Sequence, residues 1–210
     1  MKWTRIPLGA LQTNCYFLEN NHQCVVIDPG AEGEKLIEYL KKNELTPLAI
    51  LLTHAHFDHI GAVDALRDYY SIPVYVHEKE AKWLFDPSLN GSQFFFPENV
   101  IRVKPADYIL TKEETLTVGP FTLEVLETPG HSPGSVSYTV QEAGIVFAGD
   151  VLFYQSIGRT DLPGGNHKQL LETIHEKLLT LPEETVVLPG HGVETTIQDE
   201  MDHNPFIHGF

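Results

Sequence analysis

The sequence predicts an α+β chain of two strand-rich halves, each followed by helices, arranged as two mixed sheets face to face with helices outside. Three observations carry that expectation. Apolar runs of strand length recur along the 210 residues. Amphipathic segments at helical spacing separate them. The second half also repeats the plan of the first: residues 14–28, a strand, a turn and a strand ending in Asp28, match residues 135–150, which end in Asp150. The strand before His54 likewise matches the strand before His191.

Taken in order, residues 14–18 and 24–27 form a hairpin turning through Asn20-Asn21-His22 and ending at Asp28-Pro29-Gly30. Residues 31–42 carry Leu36, Ile37 and Leu40 at helical spacing among charges, and 47–52 is a buried strand. A helix is expected over 60–70, a strand over 74–76 and a further helix over 78–85. Residues 86–100, rich in Pro, Gly and Phe, make a loop long enough for a lid or substrate wall. Phe94, Phe95 and Phe96 in it either line that wall or pack onto the core. In the second half, 121–127, 135–140 and 145–148 read as strands with a turn at Glu142-Ala143-Gly144. An amphipathic helix over 166–180 follows, then a last strand at 185–188 that runs into Pro189-Gly190-His191. No linker, charge block or low-complexity segment divides the chain, so a single domain over 1–210 is expected.

Composition limits the function classes. Lys and Arg number 14 against 29 Asp and Glu, a formal charge of −15. So acidic a surface repels a phosphate backbone, which argues against nucleic acid as a partner. The first residues show no continuous apolar run of a secretory signal, and no stretch approaches a membrane span. Cys15 and Cys24, the two cysteines, are expected on neighbouring strands as buried free thiols, which fits a reducing cytoplasm.

The segment Thr53-His54-Ala55-His56-Phe57-Asp58-His59 concentrates the chemistry. Three imidazoles and a carboxylate at the end of a buried strand are the donors that a borderline-soft divalent cation prefers. His54 and His56, two apart in an extended segment, fall on one side and can chelate one ion. A turn into the following helix can redirect Asp58 and His59 towards a second ion. Three more donors stand just after strands: His131 in Thr128-Pro129-Gly130-His131, Asp150 after Ala148-Gly149, and His191 after Pro189-Gly190. Seven donors are too many for one tetrahedral zinc and suit two ions sharing a carboxylate.

In this order, Thr53-His54-x-His56-x-Asp58-His59 with His131, Asp150 and His191 resembles the metallo-β-lactamase-fold hydrolases. Among them it is most similar to glyoxalase II (hydroxyacylglutathione hydrolase) and its short bacterial relatives. The resemblance runs from about Asn14 to the C-terminus. It implies a four-layer αββα sandwich holding two divalent metal ions, Zn2+ foremost with Fe or Mn as alternatives. By the same resemblance His54, His56 and His131 hold one metal, Asp58, His59 and His191 hold the other, and Asp150 bridges. The implied activity is hydrolysis of a small-molecule thioester of the S-lactoyl-thiol kind. Asp58 would orient and deprotonate the attacking water, which the metals acidify to a pKa of about 7.

The segment 156–165 after Asp150 is expected to overhang the site. In it Arg159 either grips a substrate carboxylate or pairs with Asp161 to brace the loop. An iron-dependent persulfide dioxygenase of the same fold is the main alternative, since open-shell metals accept the same donors. Other ester, lactone, β-lactam or phosphodiester hydrolases, or a non-enzymatic metal-binding protein, complete the range. His22, His77, His167, His175, His203 and His208 are expected in surface or packing roles, and Asp28 in a hydrogen bond to its own turn, away from the metals.

Overall fold

The computed structural model describes residues 1–208. The chain falls into two compact units, Met1–Thr111 with Thr117–Phe121, and Lys112–Leu116 with Thr122–Phe210.

The first unit is built on a six-stranded mixed sheet in simple sequential order. Its strands are β1 (Lys2–Leu8), β2 (Thr13–Asn20), β3 (Gln23–Ile27), β4 (Thr46–Leu51), β5 (Val74–His77) and β6 (Tyr108–Leu110). β1, β2 and β3 pair antiparallel, and β3 through β6 run parallel. The β2–β3 hairpin turns on Asn21 and His22, both at positive φ (47° and 64°), the handedness that matches strand twist in a two-residue loop. Helix α1 (Gly33–Lys42) buries Leu36 and Leu40, each stabilising by roughly 1.5–3 kcal/mol. They join Phe17, Val26 and Ile50 in one core.

The expected helix over 60–70 is two pieces, α2 (Phe57–Ile60) and α3 (Val63–Tyr70). The break falls at Gly61, where an added Cβ would lie 2.3 Å from the Gly30 carbonyl oxygen. The expected helix over 78–85 is replaced by a 3-10 turn, Glu78–Glu80, and further tight turns. At the end of that turn Glu80 is buried and its carboxylate accepts the Ala55 N–H. In the 86–100 loop a short helix α4 (Ser92–Phe95) forms. Phe94, Phe95 and Phe96 stay exposed, so they do not simply pack inward.

The second unit carries a mixed sheet in the order β14-β13-β10-β9-β8-β7. Its members are β7 (Glu114–Val118), β8 (Phe121–Glu127), β9 (Val136–Val140), β10 (Ile145–Gly149), β13 (Val186–Pro189) and β14 (Thr195–Thr196). A small hairpin of β11 (Leu152–Phe153) and β12 (Ser156–Ile157) stands apart. Helix α5 (His167–Thr173) starts at Asn166, whose side chain accepts the Gln169 N–H, and continues through a π turn over Ile174–Leu178. The chain reaches α6 (Ile197–His203) last.

The internal likeness read from sequence is a likeness of topology. In each unit an antiparallel hairpin (β2–β3, β9–β10) is followed by a strand parallel to its second member (β4 on β3, β13 on β10). Among the described residues no helix is long and apolar enough to cross a membrane.

Candidate functional site

In the first unit the donor set is assembled just beyond β4. His54, His56 and His59 are buried, with 1%, 5% and 0% of their surface exposed, while Asp58 keeps a solvent-reachable edge. The rings of His54 and His56 lie 4.8 Å apart and those of His54 and His59 lie 4.0 Å apart, so three imidazoles share one small volume. Trp83 stands against His56 with ring centroids at 5.4 Å.

Asp28 orders two of these rings. Its carboxylate accepts the Thr53 N–H at 2.8 Å and the Thr53 hydroxyl at 2.6 Å, and the Nδ1 of His59 lies 3.0 Å away. With its proton given to Asp28, the Thr53 oxygen becomes the acceptor for Nδ1 of His54 at 3.1 Å. Both imidazoles thus carry their hydrogen on Nδ1 and present Nε2 as a lone-pair donor, the usual way in which acceptors behind a histidine set its tautomer. Asp58 accepts the Thr13 hydroxyl at 2.7 Å, and its Oδ2 stands 3.6 Å from Nε2 of His59. Asp28, His54 and His59 offer ligand atoms within 4.8 Å of one another. Asp28 was expected to bond its own turn; it instead receives Thr53 and His59, partners brought in by the fold, and serves as the ordering carboxylate behind them.

The second unit assembles a matching set around Asp150, just after β10. Nδ1 of His131 lies 2.8 Å from the Arg159 carbonyl oxygen, an acceptor, so Nδ1 carries the hydrogen. Nε2 of His131 and Nε2 of His191 stand 3.7 and 3.5 Å from Oδ2 of Asp150. Both distances are too long for a hydrogen bond. In neutral His131 an acceptor nitrogen therefore faces an acceptor oxygen, an arrangement that a cation relieves. Phe153 flanks His191 edge-on at 6.2 Å.

Each unit brings its aspartate into place against a glycine. A Cβ on Gly30 would lie 1.7 Å from the Asp58 carbonyl oxygen, and one on Gly158 would lie 1.8 Å from that of Asp150. Only glycine lets these backbones pass so closely.

The Arg159 guanidinium donates to Asp161 through Nε at 2.7 Å and Nη2 at 2.8 Å. This fork holds the Asp161 carboxyl down at about 2. Of the two roles read from sequence, the brace is the one formed here. Glu200, buried and beyond the reach of sequence reasoning, accepts the Gln155 N–H, the Thr195 hydroxyl and the Asn204 amide. It thereby fixes the β11–β12 hairpin that leads to Gly158. The remaining histidines stand outside both sets: His77 caps the turn after β5 through Nδ1, accepting the Lys79 N–H, and His22 sits in the hairpin turn.

Clusters of imidazole and carboxylate at strand ends are donor sets of the kind that could hold metal ions. The sequence model of the metallo-beta-lactamase superfamily matches residues 8–191, and the chain belongs to that family. It is 58% identical to the probable metallo-hydrolase YqgX of Bacillus subtilis, over 100% of this chain and 99% of that protein. It is 36% identical to the hydroxyacylglutathione hydrolase GloC of Haemophilus influenzae, over 96% of each. Of solved structures, it is similar to the B3 metallo-beta-lactamase BLEG-1, with a TM-score of 0.97 and 60% identity over 99% of this chain and 100% of that one. TTHA1623 in a di-iron-bound form superposes with a TM-score of 0.84 at 41% identity, over 97% of this chain and 99% of that one. The expected fold is thus the fold found: α+β, with two mixed sheets and helices.

Proposed function

We propose that the chain is a dinuclear metal-dependent hydrolase that cleaves small-molecule thioesters of the S-lactoyl-thiol kind, its two units acting as one domain in the cytoplasm. The observation that carries this reading is the matched donor chemistry of the two units. In both, histidine Nδ1 is engaged from behind by an acceptor while Nε2 faces an aspartate oxygen. His54, His56 and His131 would hold one cation, Asp58, His59 and His191 the other, and Asp150 would bridge. When bound, the ions supply a Lewis acid for the scissile carbonyl and lower the pKa of water to about 7.

The residues supply the rest. Asp58, fixed by the Thr13 hydroxyl, keeps one carboxylate oxygen oriented to accept the proton of the attacking water. A thiolate leaves readily, so no general acid is required. The name of the relative GloC supports an acyl-thiol substrate. Zinc is the foremost cation on the donor set, and the di-iron form of TTHA1623 keeps iron in view. Two buried free thiols support a reducing compartment. With Nε and Nη2 on Asp161, Arg159 would meet a substrate carboxylate through Nη1. Arg159→Ala is expected to raise KM if Arg159 binds substrate, and to leave stability nearly unchanged because the pair is solvent-exposed.

A second reading, β-lactam hydrolysis, is favoured by the likeness to BLEG-1. One panel separates the readings: zinc- and iron-loaded protein assayed with S-lactoylglutathione, simple acyl thioesters, a β-lactam, and a persulfide with oxygen uptake. Thioester turnover exceeding the others supports the proposal. Turnover confined to the β-lactam or the persulfide would refute it.

A further inference from the structure

Within the first unit, a cavity of 250 Å³ opens beside Asp58. Leu8 and Leu11 wall it from the β1–β2 connection, Phe57 from α2, and Phe96 and Ile101 from the segment after α4. Among the described residues Asp58 is its one ionisable lining residue, and none of the lining is cationic. The inner wall is firm: Leu8 is fully buried, and Phe57 packs on Phe95 and Phe96 with ring centroids at 5.2 and 5.5 Å. At the mouth, Leu11 and Phe96 are 47% and 40% exposed. Large apolar side chains held in water around an apolar cleft mark a ligand groove. The volume falls below the roughly 300–1,000 Å³ of sites that enclose a whole small molecule. It suits one arm of a ligand whose reacting end lies at Asp58.

We infer that this cavity is the subsite for an uncharged apolar arm of the substrate, an aliphatic or aromatic chain attached to the scissile thioester. This rests on the thioesterase reading and narrows its substrate class: the described lining offers apolar side chains and no cationic one to pair a carboxylate carried on the arm, while Asp58 is committed to the reacting end. At roughly 30 Å³ per small group, the volume of a water molecule in the liquid, the cavity takes about six to eight carbons. The arm is either the acyl chain or the thiol's alkyl chain, and the experiment separates the two.

The metal-loaded protein is assayed with two series of thioesters lengthened one methylene at a time, one in the acyl chain with a short thiol, the other in the thiol with an acetyl group. Unreactive ketones of matching length, in which a methylene replaces the sulfur, are titrated in parallel for Kd. The expected result is a rise in kcat/KM of roughly fourfold per methylene in one series, levelling off at about six to eight carbons, with ketone Kd tightening alike. Leu11→Asn and Phe96→Ser should flatten both dependences with metal content unchanged. Thioester hydrolysis indifferent to length in both series overturns the inference and leaves the thioesterase reading standing. Absence of any thioester hydrolysis overturns that reading instead. The ketone titration then decides the cavity: tightening with length that Leu11→Asn abolishes supports an apolar-arm subsite, and a flat dependence rejects it.

Discussion

Asp28 holds a left-handed backbone, φ +50°, which a short polar side chain tolerates better than most. From there it receives Thr53 and His59 and, through the Thr53 hydroxyl, sets the tautomer of His54. Its side chain was expected on its own turn after the strand end Asp28-Pro29-Gly30, and instead reaches Thr53 on the neighbouring strand end. Its grip on His59 was not legible, because the pair is 31 positions apart and nothing local announces it. The same holds for Thr13 on Asp58, 45 positions apart. Asp28→Asn keeps the shape but cannot accept all of these donors. Metal affinity, measured by competition with a chromophoric chelator, is expected to fall 10–100-fold. Unchanged affinity would make Asp28 a turn residue only. The seven residues proposed as metal ligands stood out in the sequence because their types are distinctive and they cluster after strands or, for Asp58 and His59, in the short helix α2 that follows one.

At the scale of elements, the buried strands and the amphipathic helices α1 and α5 were readable from their apolar periods. Strands β1, β6 and β7 were not: they lie at sheet edges, β1 half-buried and β6 and β7 largely exposed, so their patterns lack clean alternation. Pro7 in β1 suits such an edge. The turns that deliver Asp58 and Asp150 depend on Gly30 and Gly158, where a methyl group would strike a backbone carbonyl. Gly158→Ala is expected to cost about 1–3 kcal/mol, as overpacking does, and to loosen His131 and Asp150 together. Thermal unfolding and metal stoichiometry check it, and an unchanged Tm would contradict the close approach.

The β2–β3 pair also carries Cys15 and Cys24, buried and unbridged. Burial pushes the Cys24 thiol up to about 12 and raises Cys15 as well. Because the folded state keeps protons that the unfolded state loses above pH 9, stability is expected to be flat below that pH and to fall as pH rises from 9 towards 12. At pH 8 the folded protein should resist alkylation, with both thiols reacting on unfolding. Fast modification of the native protein would contradict the burial.

For the molecule as a whole, the repeated plan of strand, turn, strand and aspartate is legible in the sequence, and each unit realises it with the same parallel pairing. What sequence could not give is the paths of irregular segments such as 86–101 and 156–165, which follow tertiary contacts, and with them the substrate. The global charge of −15 disfavours anionic ligands over most of the surface. Two divalent cations against Asp58 and Asp150 would reverse that sign locally and draw in a developing oxyanion. The central claim is that these side chains hold a pair of cations on which turnover depends. Titrating metal-stripped protein with zinc or iron while following thioester hydrolysis tests it most directly. Activity should climb to a plateau at two ions per chain and vanish on chelation; a stripped protein that hydrolyses thioesters undiminished in excess chelator would contradict it.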